Sequence, residues 1–120
     1  MSEPKLSARL VLTTVANPEE AARMARILVE ERLAACVQIV PGTLSIFHWK
    51  GAVEESVEAL LLVKTGPEQL KALEVRLHEL HSYDTPEFLV LEVGSGSARY
   101  LDWLHTSLEP ACGLRDKSMG

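Results

Sequence analysis

The stretch 43–65, TLSIFHWKGAVEESVEALLLVKT, reads as one long β-hairpin with Lys50-Gly51 at its centre. At about 3.3 Å per residue, each arm reaches on the order of 25 Å. Typical strands have about five or six residues, and a two-stranded ribbon by itself is marginal in water. Such a hairpin must lie on something. A chain of 120 residues is one domain by size and buries roughly two thirds of its unfolded surface. It is short of material to cover the ribbon, and that mismatch points to assembly.

A two-residue loop at Lys50-Gly51 sets Trp49 opposite Ala52, His48 opposite Val53 and Phe47 opposite Glu54. The returning arm changes character along its length. Near the tip it is acidic, with Glu54, Glu55 and Glu58, and over 59–63 it is continuously apolar. The base therefore reads as a central strand buried on both faces, and the tip as an overhang.

The rest of the chain supplies the platform. Residues 9–15, RLVLTTV, read as a buried strand. Asn17-Pro18-Glu19-Glu20 opens a helix to about Arg32, with Asn17 as cap, Pro18 at the first helical position and Glu20 completing a capping box. Ala21, Ala25, Leu28 and Leu33 form its apolar side. A second strand covers 36–40, and Pro41-Gly42 makes a bend or bulge before the hairpin. Thr65 or Gly66 caps a second helix that ends near His81, with Leu70, Leu73, Leu77 and Leu80 as its stripe. Pro86 forces Thr85 to be extended, and 87–93 read as the next strand. Ser97 caps a third helix in which Leu101, Leu104 and Leu108 share a face.

Two right-handed crossovers joined through a hairpin make a ferredoxin-like split βαβ arrangement. The fold class expected is α+β, with an extended hairpin between the second and third strands and an extra C-terminal helix. One domain over 1–120 is expected, with an ordered core of about 8–109 and a frayed tail, 110–120, carrying a short strand near Cys112. Helices cover one face of the sheet, and the cheapest cover for the other is a copy of the chain itself.

Charge and cysteine usage narrow the function. Twelve basic against 17 acidic residues give a net charge of -5, the wrong sign for a nucleic-acid binder. No apolar run is long enough for a membrane span, and the first residues lack the pattern of a signal peptide, so a cytoplasmic location is expected. Two cysteines make no disulfide framework. Cys36, within LAACVQIV, reads as a small buried hydrophobe.

His78, His81, Tyr83, Asp84 and Glu87 form the densest cluster of chemistry-bearing residues. His78 and His81 are three apart at the end of a helix and share a face, and imidazole suits copper and zinc. The competing reading is that both histidines answer the negative end of that helix. His48 and His105 read as partly exposed structural residues. Trp49, Tyr83, Tyr100 and Trp103 would line a pocket only if assembly brought them together. Gly94-Ser95-Gly96-Ser97 lacks the fuller phosphate-loop pattern and reads as linker plus cap. No Ser-His-Asp, CxxC, HExxH or Walker pattern is present, and the chain reads as a non-enzyme that requires no cofactor.

Several runs occur in an order that carries a resemblance: ERLAACV at 31–37, Pro41-Gly42, SIFHWKG at 45–51, LVKT at 62–65, HSYDTPE at 81–87 and YLDWL at 100–104. Together they resemble the CutA divalent-cation tolerance proteins, over nearly the whole chain. The resemblance implies a ferredoxin-like homotrimer assembled through the 43–65 hairpin, cytoplasmic and non-catalytic, linked to tolerance of copper and other divalent metals. It also implies kinship with the PII signalling proteins. On the family's motifs fall Trp49, Lys64, His81, Tyr83, Pro86, Glu87 and Trp103.

Two departures stand out. Ser82 holds the place of a proline common between the histidine and the tyrosine. Thr13 holds the place where some members carry a cysteine proposed as a copper ligand.

The leading expectation is a metal-tolerance trimer that binds copper or a related cation weakly, with His81 as ligand and His78 or Cys36 beside it. Alternatives are a PII-like module that binds a small anion in intersubunit clefts, with Trp49, Lys64, Tyr83, Glu87 and Trp103 as binding residues, and a structural trimeric scaffold.

Overall fold

The elements follow the hydropathy pattern. In the computed structural model, which describes residues 7–110, the first strand β1 is Ala8–Val15 and the first helix α1 is Pro18–Glu30. Asn17 caps α1 as expected, its side chain accepting from the Glu20 amide at 2.8 Å. The Glu20 carboxylate does not complete a capping box; it accepts from Ser82 instead. The hairpin arms are β2, Cys36–Trp49, and β3, Ala52–Thr65. A 3₁₀ turn, Pro67–Gln69, leads into α2, Leu70–Leu80. The chain closes with β4, Leu89–Val93, and α3, Ala98–Leu108. The expectations for the tail and for Cys112 fall on 111–120, outside the described residues.

One antiparallel sheet of order β2-β3-β1-β4 results, the ferredoxin-like arrangement. The hairpin register is the one the two-residue loop dictates, Trp49 with Ala52, His48 with Val53 and Phe47 with Glu54. Lys50 and Gly51 both take positive φ, 49° and 82°, as a tight turn matched to strand twist requires. Pro41-Gly42 is a bulge inside one long strand, with the register shifting between Val40 and Thr43.

Side chains alternate across a sheet, so β1 and β3 each present two faces. Val11, Val15, Ala59, Leu61 and Val63 are fully buried with Met24 and Leu28 of α1 and Leu73 and Leu77 of α2. Leu60 and Leu62 point the other way and are half-buried, so the base of β3 is closed on one face only. That second face is not left wholly to a partner. Leu104 and Leu108 of α3 pack with Ala8 and Ala35 at one end of it, so the expectation of helices on one face is corrected.

Of the two expected caps, Gly66 takes the position, and the Thr65 hydroxyl donates instead to the Leu33 carbonyl at 2.8 Å. A Cβ at Gly66 would lie 3.2 Å from Leu108 of α3 and 2.8 Å from the Gln69 side-chain oxygen, so a larger residue there would make both side chains shift. The last strand begins at Leu89 rather than at 87.

Candidate functional site

The residues with chemical potential settle in two places. The first is the 81–87 loop, which crosses the end of the sheet. His81 ends α2, and its backbone amide donates to the Leu77 carbonyl. The residue is only 8% exposed. Nε2 donates to the Thr14 carbonyl at 2.7 Å, and Nδ1 accepts from the Tyr83 amide at 3.1 Å. A carbonyl accepts only and an amide donates only, so the two bonds select the Nε2–H tautomer and occupy both nitrogens. The His81 and Tyr83 rings meet at 4.7 Å between centroids.

The loop reaches two further elements. Ser82 Oγ donates to the Glu20 carboxylate in the first turn of α1, at 3.0 and 3.2 Å. Tyr83 Oη donates to Glu58 Oε2 of β3 at 2.6 Å. Glu20 and Glu58 are each 8% exposed. Burial, then the hydrogen bond and charge of Glu58, then the charge of Glu20 push the Tyr83 phenol well above its usual range. The phenol is therefore a donor throughout the physiological range.

The expected metal ligands are spread out. His78 is exposed, and its Nδ1 meets the Glu74 carbonyl of its own helix at 2.8 Å. Cys36 is not the buried hydrophobe expected. It is half-exposed and pairs with Lys64, whereas His81 reaches Thr14, the residue opposite Leu60. Four residues along β3 separate those positions, about 13 Å. Among the described residues no group of three His, Cys, Asp or Glu is placed to hold a metal ion. The described residues of one chain thus offer no preformed divalent-cation cage.

The second place is the face beneath α3. Lys64 Nζ lies 3.4 Å from the Tyr100 hydroxyl and 5.5 Å from that ring's centroid. Tyr100 in turn packs on Trp103, 5.4 Å between centroids. Lys64 and Trp103 are thus brought together, through Tyr100. Trp49 is at the ribbon tip under its neighbour Lys50, Tyr83 belongs to the loop network, and Glu87 is half-buried in the approach to β4. Sequence reasoning missed the roles of Glu20, Glu58 and Tyr100. Each acts through a partner at least 25 residues away, which spacing cannot reveal.

A split-βαβ chain with an overhanging ribbon, and with its histidine loop absorbed in structural bonds, defines the class. The model of the CutA1 divalent ion tolerance protein family matches residues 9–107, and the chain belongs to that family. The divalent-cation tolerance protein CutA of Thermus thermophilus is 50% identical over 95 residues, 79% of this chain and 92% of the relative. The chloroplastic protein CutA of Arabidopsis thaliana is 42% identical over 98 residues, 82% of this chain and 54% of its own length. The crystal structure of CutA from Xylella fastidiosa superposes with a TM-score of 0.83 at 37% identity, covering 85% of this chain and 98% of that one.

Proposed function

We propose that this protein is a non-catalytic divalent-cation tolerance protein that works as a homotrimer assembled through its hairpin. One observation carries the assembly. Beyond Glu58 the ribbon has no β1 neighbour, yet Leu44, Ile46, Val53 and Val57 share one face of it and are between 56% and 65% exposed. Four aliphatic side chains on one face in water mark an interaction surface. Light scattering at micromolar concentration tests this; a monomer would sink the reading.

The cation-tolerance role rests on the family and its named relatives. Copper or a related divalent cation is the candidate cargo, bound weakly. His78 and Cys36 are the accessible donors, and His81 coordinates only by giving up the Tyr83 amide or the Thr14 carbonyl. Copper(II) titration of His78→Ala, Cys36→Ala and His81→Ala chains assigns the donors. Unchanged affinity in all three would remove the proposed set. No helix among the described residues is long and apolar enough to cross a membrane. A cytoplasmic location is the proposal for this chain, and one relative is named as chloroplastic.

A second reading, a small-anion module, is favoured by the Lys64 ammonium held over Tyr100 beside Trp103. Thermal-shift screening with nucleotides and organic acids tests it. No stabilisation by any of them counts against it.

A further inference from the structure

We infer that the 81–87 loop is a bracket that aims the ribbon at its partner copy, with Tyr83 as the positioning residue and Glu58 as its anchor; this rests on the assembly reading above. The register places the anchor. Ala59 is the last residue of β3 paired with β1, opposite Val15. Glu58 is the first beyond it, opposite Thr43 and just past the bulge at Pro41-Gly42. At that point β3 loses its support on one side. From there to the tip the ribbon is held by its own two strands, which twist readily.

Leverage makes the root decisive. Six residues separate Glu58 from Ala52 at the tip, about 20 Å. A tilt of roughly 10° at the root moves the tip by about 3–4 Å over that length, enough to unseat interdigitated side chains.

The bracket is itself fixed where it leaves α2, by two neighbouring residues. Ser82 holds it to the first turn of α1, and His81 holds it to the end of β1. The Tyr83 amide is locked onto the His81 ring. Tyr83 then reaches across to β3 with a short bond to a buried carboxylate, the charge-assisted kind that is strong and directional. The resulting contact joins α1, β1 and the ribbon root through one loop. The His81–Tyr83 pair thereby gains a job that metal coordination does not explain.

Dilution light scattering on the full chain, as wild type, Tyr83→Phe, Glu58→Ala and Glu58→Gln, tests this, with hydrogen exchange along 43–58 and 59–65. The expected result is that Tyr83→Phe and Glu58→Ala raise the dissociation concentration about tenfold or more, the scale of a hydrogen bond to a charged group. Exchange should quicken along 43–58 and stay unchanged along 59–65. Glu58→Gln keeps an acceptor and should rescue assembly. A wild type that assembles, with Tyr83→Phe dissociating at no higher concentration than wild type, overturns the bracket and leaves the assembly reading intact. A monomeric wild type overturns both. Loss of far-ultraviolet circular dichroism in both Tyr83→Phe and Glu58→Ala means the bond serves general stability, and overturns the bracket as well.

Discussion

The 81–87 loop and the ribbon beyond Glu58 meet at one hydrogen bond, and they treat their side chains in opposite ways. In the loop, the polar groups of His81, Ser82 and Tyr83 are satisfied within the chain, by partners on α1, β1 and β3. On the ribbon, the large aliphatic residues of one face are left in water. Residues that look reactive are thus consumed by structure, and residues that look like core are offered outward. The difference teaches where to look for function here: in a surface, before a pocket.

The sharpest way to break that comparison is to make the ribbon polar. Leu44→Asp with Val57→Asp should abolish assembly at micromolar concentration by light scattering, with the circular dichroism of the helices preserved. An intact oligomer would show that the ribbon face is not the interface.

Next in size, His81→Ala removes two bonds from a buried ring and leaves the Thr14 carbonyl and the Tyr83 amide unanswered. A loss of about 2–4 kcal/mol in urea unfolding is expected. His78→Ala, an exposed change, should cost under about 0.5 kcal/mol. Equal effects would erase the distinction between a buried histidine bonded at both nitrogens and an exposed one.

A smaller change sharpens the contrast from inside the core. Thr13 is fully buried, and its hydroxyl is the one buried side-chain polar atom among the described residues with no hydrogen-bond partner. Thr13→Val keeps the shape and removes the orphan group, so a gain of about 1 kcal/mol is expected in the same assay.

The smallest effect appears as a difference between pH curves. The fold raises the Tyr83 phenol above the unfolded value of about 10, through burial and Glu58. The unfolded chain therefore loses that proton first as pH climbs. The contribution is complete below about pH 10 and declines above it toward the folded value. The gap in melting temperature between wild type and Tyr83→Phe should narrow above pH 10, and a constant gap would argue against the buried phenol.

Much of the fold is legible in the residues alone. Asn17 and Pro18 start α1 through local hydrogen bonding and fixed φ. Leu70, Leu73, Leu77 and Leu80 declare a helical face by spacing alone. Lys50-Gly51 fixes the hairpin register because a two-residue loop permits only one. The candidate site is legible as residues but not as bonds. His81 is visible as a possible ligand, yet its partner Thr14 lies 67 residues away, and nothing local says that its lone pair is already taken. The place of α3 is hidden for the same reason, because its apolar face fits either side of a sheet.

The sequence by itself determined the elements, their order, the register of the ribbon and the excess of ribbon over platform. Those follow from forces that act over a few residues: rotational freedom about the backbone, capping, and side-chain periodicity. Only the tertiary structure decided that α3 shields part of the second face, that Cys36 and His81 lie apart, and that Tyr83 reaches Glu58. Those depend on which distant groups share a buried space, where an unpaired polar atom is costly and each partner excludes another.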